Sequence, residues 1–90
     1  VESANIEGES LKKRLYPATN SNTAMKETIA GNLIRHRKRL GLSQKRLGEM
    51  AGVSRQSVNY YEKARTLPES KTLSALARAL GVTPDDLLRS

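Results

Sequence analysis

The sequence predicts an all-α chain of five short helices behind a disordered N-terminal arm, and three observations carry that expectation. From about Lys26 onward, apolar residues recur at spacings of three and four, the period of a helix face and not of a strand. The apolar runs are short, and Gly41, Gly52 and Gly81 stand at their ends. Ser43, Ser54 and Thr83 occupy the positions where a side-chain oxygen can cap a free backbone N–H at a helix start.

Residues 1–25 are polar, lack apolar periodicity and contain Pro17, so they read as a disordered arm or leader, and residues 26–90 as the folded domain. In the first helix, Ile29, Leu33, His36 or Arg37, and Leu40 trace one face. Ser43 caps a second, whose inner side is Leu47, Met50 and Ala51 and which Gly52 stops within about two turns. Val53 then turns inward and Ser54 caps a third helix over about 55–63, with Val58 and Tyr61 inward and Arg55, Gln56, Asn59 and Tyr60 outward. Leu73, Leu76, Ala77 and Leu80 define a fourth helix. Thr83, Pro84, Asp85 and Asp86 open a fifth, with Leu87 and Leu88 as its anchors.

A chain of 90 residues suits one domain, which at this size buries about 60–65% of its unfolded surface. With no cysteine, neither disulfides nor thiolate metal sites hold it, and apolar burial must. There is no membrane-length apolar run and no secretory leader, so the expected location is the cytoplasm of a bacterium, with no membrane partner. The chain opens on Val1, and its natural ends are left open.

Net charge is +7, and its placement matters more than its size. Between Leu33 and Arg65 stand nine basic residues against Glu49 and Glu62 alone, so the whole excess lies in that segment. Such a segment suits a polyanion, because Lys and Arg gain by displacing counterions condensed on phosphate. A solvated helix face is the alternative. Lys12, Lys13 and Arg14 in the arm are read as tail residues.

Residues 43–62 are where spacing becomes specific. Two helices crossing steeply need a small residue at the contact, a glycine in the turn and apolar anchors on both sides, which Gly48, Gly52, Leu47, Val53 and Val58 supply. The second helix of such a pair can enter the DNA major groove, about 12 Å wide, with its N-terminal residues at the base edges. Those are Ser54, Arg55 and Gln56, and Arg pairs bidentately with guanine while Gln pairs with adenine. Asn59 and Tyr60 lie on the same outward face and are candidate base contacts too, against solvated or self-covering alternatives. Gln44, at the start of the preceding helix, and Lys45, Lys63 and Arg65 are the candidate phosphate contacts.

The run from Leu33 to Leu88 resembles the phage repressor and Cro-like (XRE-type) helix-turn-helix family, most specifically in Gly41-Leu42-Ser43-Gln44, Leu47, Gly52-Val53-Ser54, Val58, Glu62, Pro68, Leu73 and Ala79-Leu80-Gly81-Val82. The resemblance implies a compact five-helix, lambda-repressor-like DNA-binding domain that occupies operator DNA, palindromic in sequence, as a homodimer. It implies that Arg37 pairs with Glu62 beneath the motif. Gly48 and Ala64 depart from the family pattern, standing where Ala and Gly are usual.

Catalysis is not expected, because one histidine, no cysteine and scattered carboxylates offer neither a nucleophile with its base nor a metal set, and no cofactor is implied. His36 reads as a partly buried structural residue. The expected function is a DNA-binding transcriptional regulator, repressor or activator. The alternatives are the DNA-targeting head of a longer sensor or enzyme, a restriction-modification controller or antitoxin, and a protein-interaction module on the same fold.

Overall fold

A computed structural model describes residues 21–89, which form five helices and no strand: α1 (Ser21–Arg39), α2 (Gln44–Ala51), α3 (Arg55–Glu62), α4 (Ser70–Leu80) and α5 (Pro84–Leu88). Residues 1–20 lie outside the described residues, and the tail reading of Lys12, Lys13 and Arg14 lies there with them. The boundary of the arm is corrected at its C-terminal end, because α1 begins at Ser21 and not near Lys26. Ala24, Met25, Lys26 and Glu27 are good helix formers with no breaker after Pro17. The apolar stripe behind them fixes the helix, so it propagates backward to Ser21.

The caps follow the expected chemistry. Ser43 Oγ accepts from the Arg46 backbone N–H at 2.9 Å and Ser54 Oγ from that of Ser57 at 3.0 Å. Thr83 and Asp86 exchange two bonds in a capping box that spans Pro84. The bonds from Thr83 hold the Asp86 carboxyl below the usual carboxylate range.

Ile29 and Leu33 of α1, Leu47 of α2, Val58 of α3, Leu76, Ala77 and Leu80 of α4 and Leu87 of α5 form one buried cluster, so every helix contributes to a single core. Burying a leucine contributes about 1.5–3 kcal/mol, and five of these eight are leucines. Leu42, Val53, Tyr61, Leu67, Leu73 and Val82 pack around it. Burial raises the Tyr61 phenol above its ordinary pKa, with Glu69 adding to it.

Three expected anchors are instead exposed: Leu40 at 44%, Met50 at 43% and Leu88 at 41%. Leu40 falls beyond the last residue of α1 and turns off its face. In the eight-residue α2 the inward stripe runs through Leu47 and Gly48, leaving Met50 on the flank. Helix α5 is little more than one turn, and Leu87 alone uses its inner side.

Asn32 is a buried polar residue that the apolar pattern did not reveal. Its Nδ2 donates to the carbonyl oxygens of Leu87 at 2.9 Å and Arg89 at 2.7 Å, and its Oδ1 accepts from Arg35. It therefore satisfies carbonyls that a helix C-terminus leaves unpaired and fastens α5 to α1. His36 is partly buried, as expected; burial, then Arg35 and Arg39, push its pKa below the ordinary histidine value.

Candidate nucleic-acid interface

The site is made by α2 and α3 and the turn between them. Gly52 takes the left-handed conformation at φ 77°, which reverses the chain without a Cβ clash. The Val53 N–H donates to the Gly48 carbonyl at 2.9 Å. Gly48 is buried at this crossing, and a Cβ built there would stand 2.7 Å from the Val53 carbonyl oxygen. Its departure from the family pattern thus coincides with a close backbone approach, an effect that helix propensity alone does not register.

Helix α3 has an inner face of Val58 and Glu62, both buried, and an outer face that carries the polar residues. Arg55, Gln56, Asn59 and Tyr60 line one open cleft of about 390 Å³ together with Gln44 from α2. The structure thereby brings together four of the five residues expected at base edges and one of the four expected at phosphate. Ser54 is the fifth base candidate; its hydroxyl accepts the capping bond and donates to Ser57 Oγ at 3.0 Å. Lys45 stands exposed in the first turn of α2, and Lys63 and Arg65 stand exposed beyond α3.

Beneath the cleft, the Arg37 guanidinium pairs side-on with the Glu62 carboxylate, Nε to Oε2 at 2.6 Å and a terminal nitrogen to Oε1 at 3.0 Å. Only 4% of the Glu62 side chain is exposed. The remaining terminal nitrogen of Arg37 donates to the Leu42 carbonyl at 2.9 Å, so the pair joins α1, the loop before α2 and the end of α3. Glu62 Oε1 also accepts from Gln44 Nε2 at 2.9 Å, and Gln44 Oε1 accepts from Asn59 Nδ2 at 3.4 Å. The buried pair therefore continues into the floor of the cleft, a link absent from the sequence reading, in which Gln44 had only a phosphate to meet.

On the outer face, Gln56 Nε2 donates to the Tyr60 hydroxyl at 2.8 Å. The Arg65 guanidinium carbon lies 5.7 Å from the centre of the Tyr60 ring, within cation–π range. Among the described residues, no three His, Cys, Asp or Glu side chains group as metal ligands, and no helix is long and apolar enough to cross a membrane.

Comparison with known proteins matches residues 33–87 to the helix-turn-helix family. The repressor protein C2 of Salmonella phage P22 is 39% identical over 66 residues, which are 72% of this chain and 31% of that repressor. The chain thus spans less than a third of the length of that relative. The crystal structure of the P22 c2 repressor with a synthetic operator superposes with a TM-score of 0.66 at 36% identity, over 68% of this chain and 92% of that one. The restriction-modification controller protein C.AhdI of Aeromonas hydrophila superposes at 0.68 with 28% identity, over 71% of this chain and 97% of that one. A family match over residues 33–87, together with 39% identity to the P22 repressor, establishes that this chain belongs to the XRE-type helix-turn-helix family of transcriptional regulators.

Proposed function

We propose that the chain regulates transcription in the cytoplasm by binding double-stranded operator DNA as a homodimer, with α3 in the major groove. The observation that carries this reading is the cleft in which Arg55, Gln56, Asn59 and Tyr60 of α3 meet Gln44 of α2 on one open face. The synthetic operator in the crystal structure of the P22 c2 repressor supports DNA as the ligand of this face. Ser54, Arg55, Gln56, Asn59 and Tyr60 then face base edges. Gln44, whose second Nε2 hydrogen is not used by Glu62, takes a phosphate, and Lys45, Lys63 and Arg65 neutralise the flanking backbone. Two such modules related by a dyad read a palindromic site with half-sites about one helical turn, 34–36 Å, apart. No cofactor and no catalysis enter this reading.

Selection from a random duplex library supplies the site, and two variants test the division of labour. Arg55→Ala is expected to lose about 1–3 kcal/mol of discrimination at a single base pair. Gln44→Ala is expected to weaken all sequences alike. Unchanged base preference in Arg55→Ala overturns the assignment, and a monomer in ultracentrifugation on palindromic DNA overturns the dimer.

A second reading has its own support, since the superposition spans 97% of the restriction-modification controller but the matched stretch is only 31% of the P22 repressor. On this reading the module acts as a compact operon controller. Both use the same face.

A further inference from the structure

We infer that Tyr60 is a specificity-determining residue that works through Gln56: its hydroxyl fixes the Gln56 amide so that the base opposite must offer a hydrogen-bond donor, which favours adenine and rejects guanine. The inference rests on the proposed DNA-binding reading and deepens it.

Gln56 and Tyr60 are four apart on the outer face of α3, where side chains of a helix meet. The amide nitrogen of Gln56 donates to the phenol oxygen at 2.8 Å. That bond engages one of the two Nε2 hydrogens and turns the nitrogen end of the amide toward Tyr60. Oε1 is left as an acceptor, with one N–H beside it. In the major groove adenine presents a donor at N6 and an acceptor at N7, the complement of that pair, whereas guanine presents only acceptors at N7 and O6. An amide free to rotate could turn both N–H groups to guanine; one tied to Tyr60 offers a single N–H, and the Oε1 beside it then faces a guanine acceptor.

Tyr60 is itself held. The chain leaves α3 through Ala64 in the left-handed conformation at φ 58°, and the Ala64 and Arg65 N–H groups donate to the carbonyls of Tyr61 at 3.2 Å and Tyr60 at 2.9 Å. This is the paired-bond ending of a Schellman turn. It carries Arg65 back over the Tyr60 ring, so the ring is bounded by Arg65 while its hydroxyl holds Gln56. The tie between a residue at the start of α3 and one in the loop after it makes the three side chains one unit. Ring and hydroxyl have separable tasks: the ring seats Arg65, the hydroxyl orients Gln56.

That separation gives the test. After a site has been selected with the full chain, binding of wild type, Gln56→Ala, Tyr60→Phe and Tyr60→Ala is measured on duplexes carrying each base pair at each position, over a range of salt. Gln56→Ala identifies the base pair that Gln56 reads. At that pair, Tyr60→Phe is expected to lower the adenine-over-guanine ratio about tenfold, within the range of one bidentate contact, and to leave other positions and the salt slope unchanged. Tyr60→Ala, which also unseats Arg65, is expected to show the same relaxation with a salt slope smaller by about one. A Tyr60→Phe protein whose ratio stays within twofold of wild type overturns the inference, as does an equal loss at every position, while the DNA-binding reading survives both. A wild-type chain that retains no sequence and shows no salt-dependent duplex binding overturns that reading and this one together.

Discussion

The two ends of α3 pass through the same left-handed backbone conformation, yet they are built in different ways. At the leading end Gly52 adopts it at φ 77° without cost, and Gly48 lets the Val53 carbonyl approach to a place no Cβ tolerates. At the trailing end Ala64 adopts it at φ 58°, where an L-residue with a Cβ loses roughly 1–2 kcal/mol. What holds the trailing end is the Glu62 carboxylate, buried against Arg37. The leading end is fixed by removing atoms and the trailing end by placing charges. Anchoring the helix at its ends and on its inner face leaves the polar outer face open. Each end also predicts its own failure.

The largest effect is expected at the charged anchor. Glu62→Ala leaves the Arg37 guanidinium buried without its partner, and such a loss costs about 3–5 kcal/mol. For a domain of this size that is most of the available stability, so helical circular dichroism at 25 °C should fall or the urea midpoint collapse. Replacing both partners, Arg37→Met with Glu62→Leu, should be markedly milder than Glu62→Ala alone, because no stranded charge remains. If the double variant is the weaker of the two, the trailing end is held by the bonds of the pair and not by avoidance of an unpaired charge. Since Glu62 also accepts from Gln44, the double variant should fold but bind all DNA sequences more weakly.

At the leading end, Gly48→Ala sets two effects against each other. Alanine favours the helix by about 1 kcal/mol, but its Cβ must displace the Val53 carbonyl, and overpacking costs about 1–3 kcal/mol. The expected sum is a loss of about 1 kcal/mol, seen as a lower denaturant midpoint at unchanged slope. A higher midpoint would mean that the α2–α3 crossing can open by a few tenths of an ångström without cost, and the contrast between the ends would then be one of charge alone.

Much of this architecture is legible in the sequence because it is local. Ser43, Ser54 and Thr83 cap as their positions suggest, and Gly52 turns the chain where the apolar run stops. Arg37 and Glu62 are 25 residues apart, and only the family resemblance pairs them in sequence, since no spacing rule reaches that far. Asn32, whose amide bonds carbonyls 55 and 57 residues away, gives no local signal at all. In the site, the outward set Arg55, Gln56, Asn59 and Tyr60 follows from helix period, but how it is oriented does not. The bond from Gln56 to Tyr60 lies at a readable spacing of four, whereas the position of Arg65 depends on the backbone of Ala64, which composition does not disclose. Met50 and Leu88 are apolar yet exposed, because in helices this short the inner face has room for few side chains and hydrophobicity alone does not tell which turn inward.

The smallest expected effect is the one with the opposite sign. Ala64→Gly relieves the left-handed strain of roughly 1–2 kcal/mol while adding about 0.4–1 kcal/mol of entropy to the unfolded chain. The expected sum is a gain of about 0.5–1 kcal/mol, a rise in Tm of about 3–6 °C for a domain of this size. The turn itself should persist, since glycine favours the same conformation and the Ala64 and Arg65 N–H bonds do not involve the side chain. Base preference should therefore stay as in wild type while stability increases, separating the strain at this turn from the placement of Arg65 over Tyr60. A fall in Tm would show that the alanine methyl, which is half-buried, contributes more by packing than it loses by strain, and the two ends of α3 would then differ in side-chain burial as well as in charge.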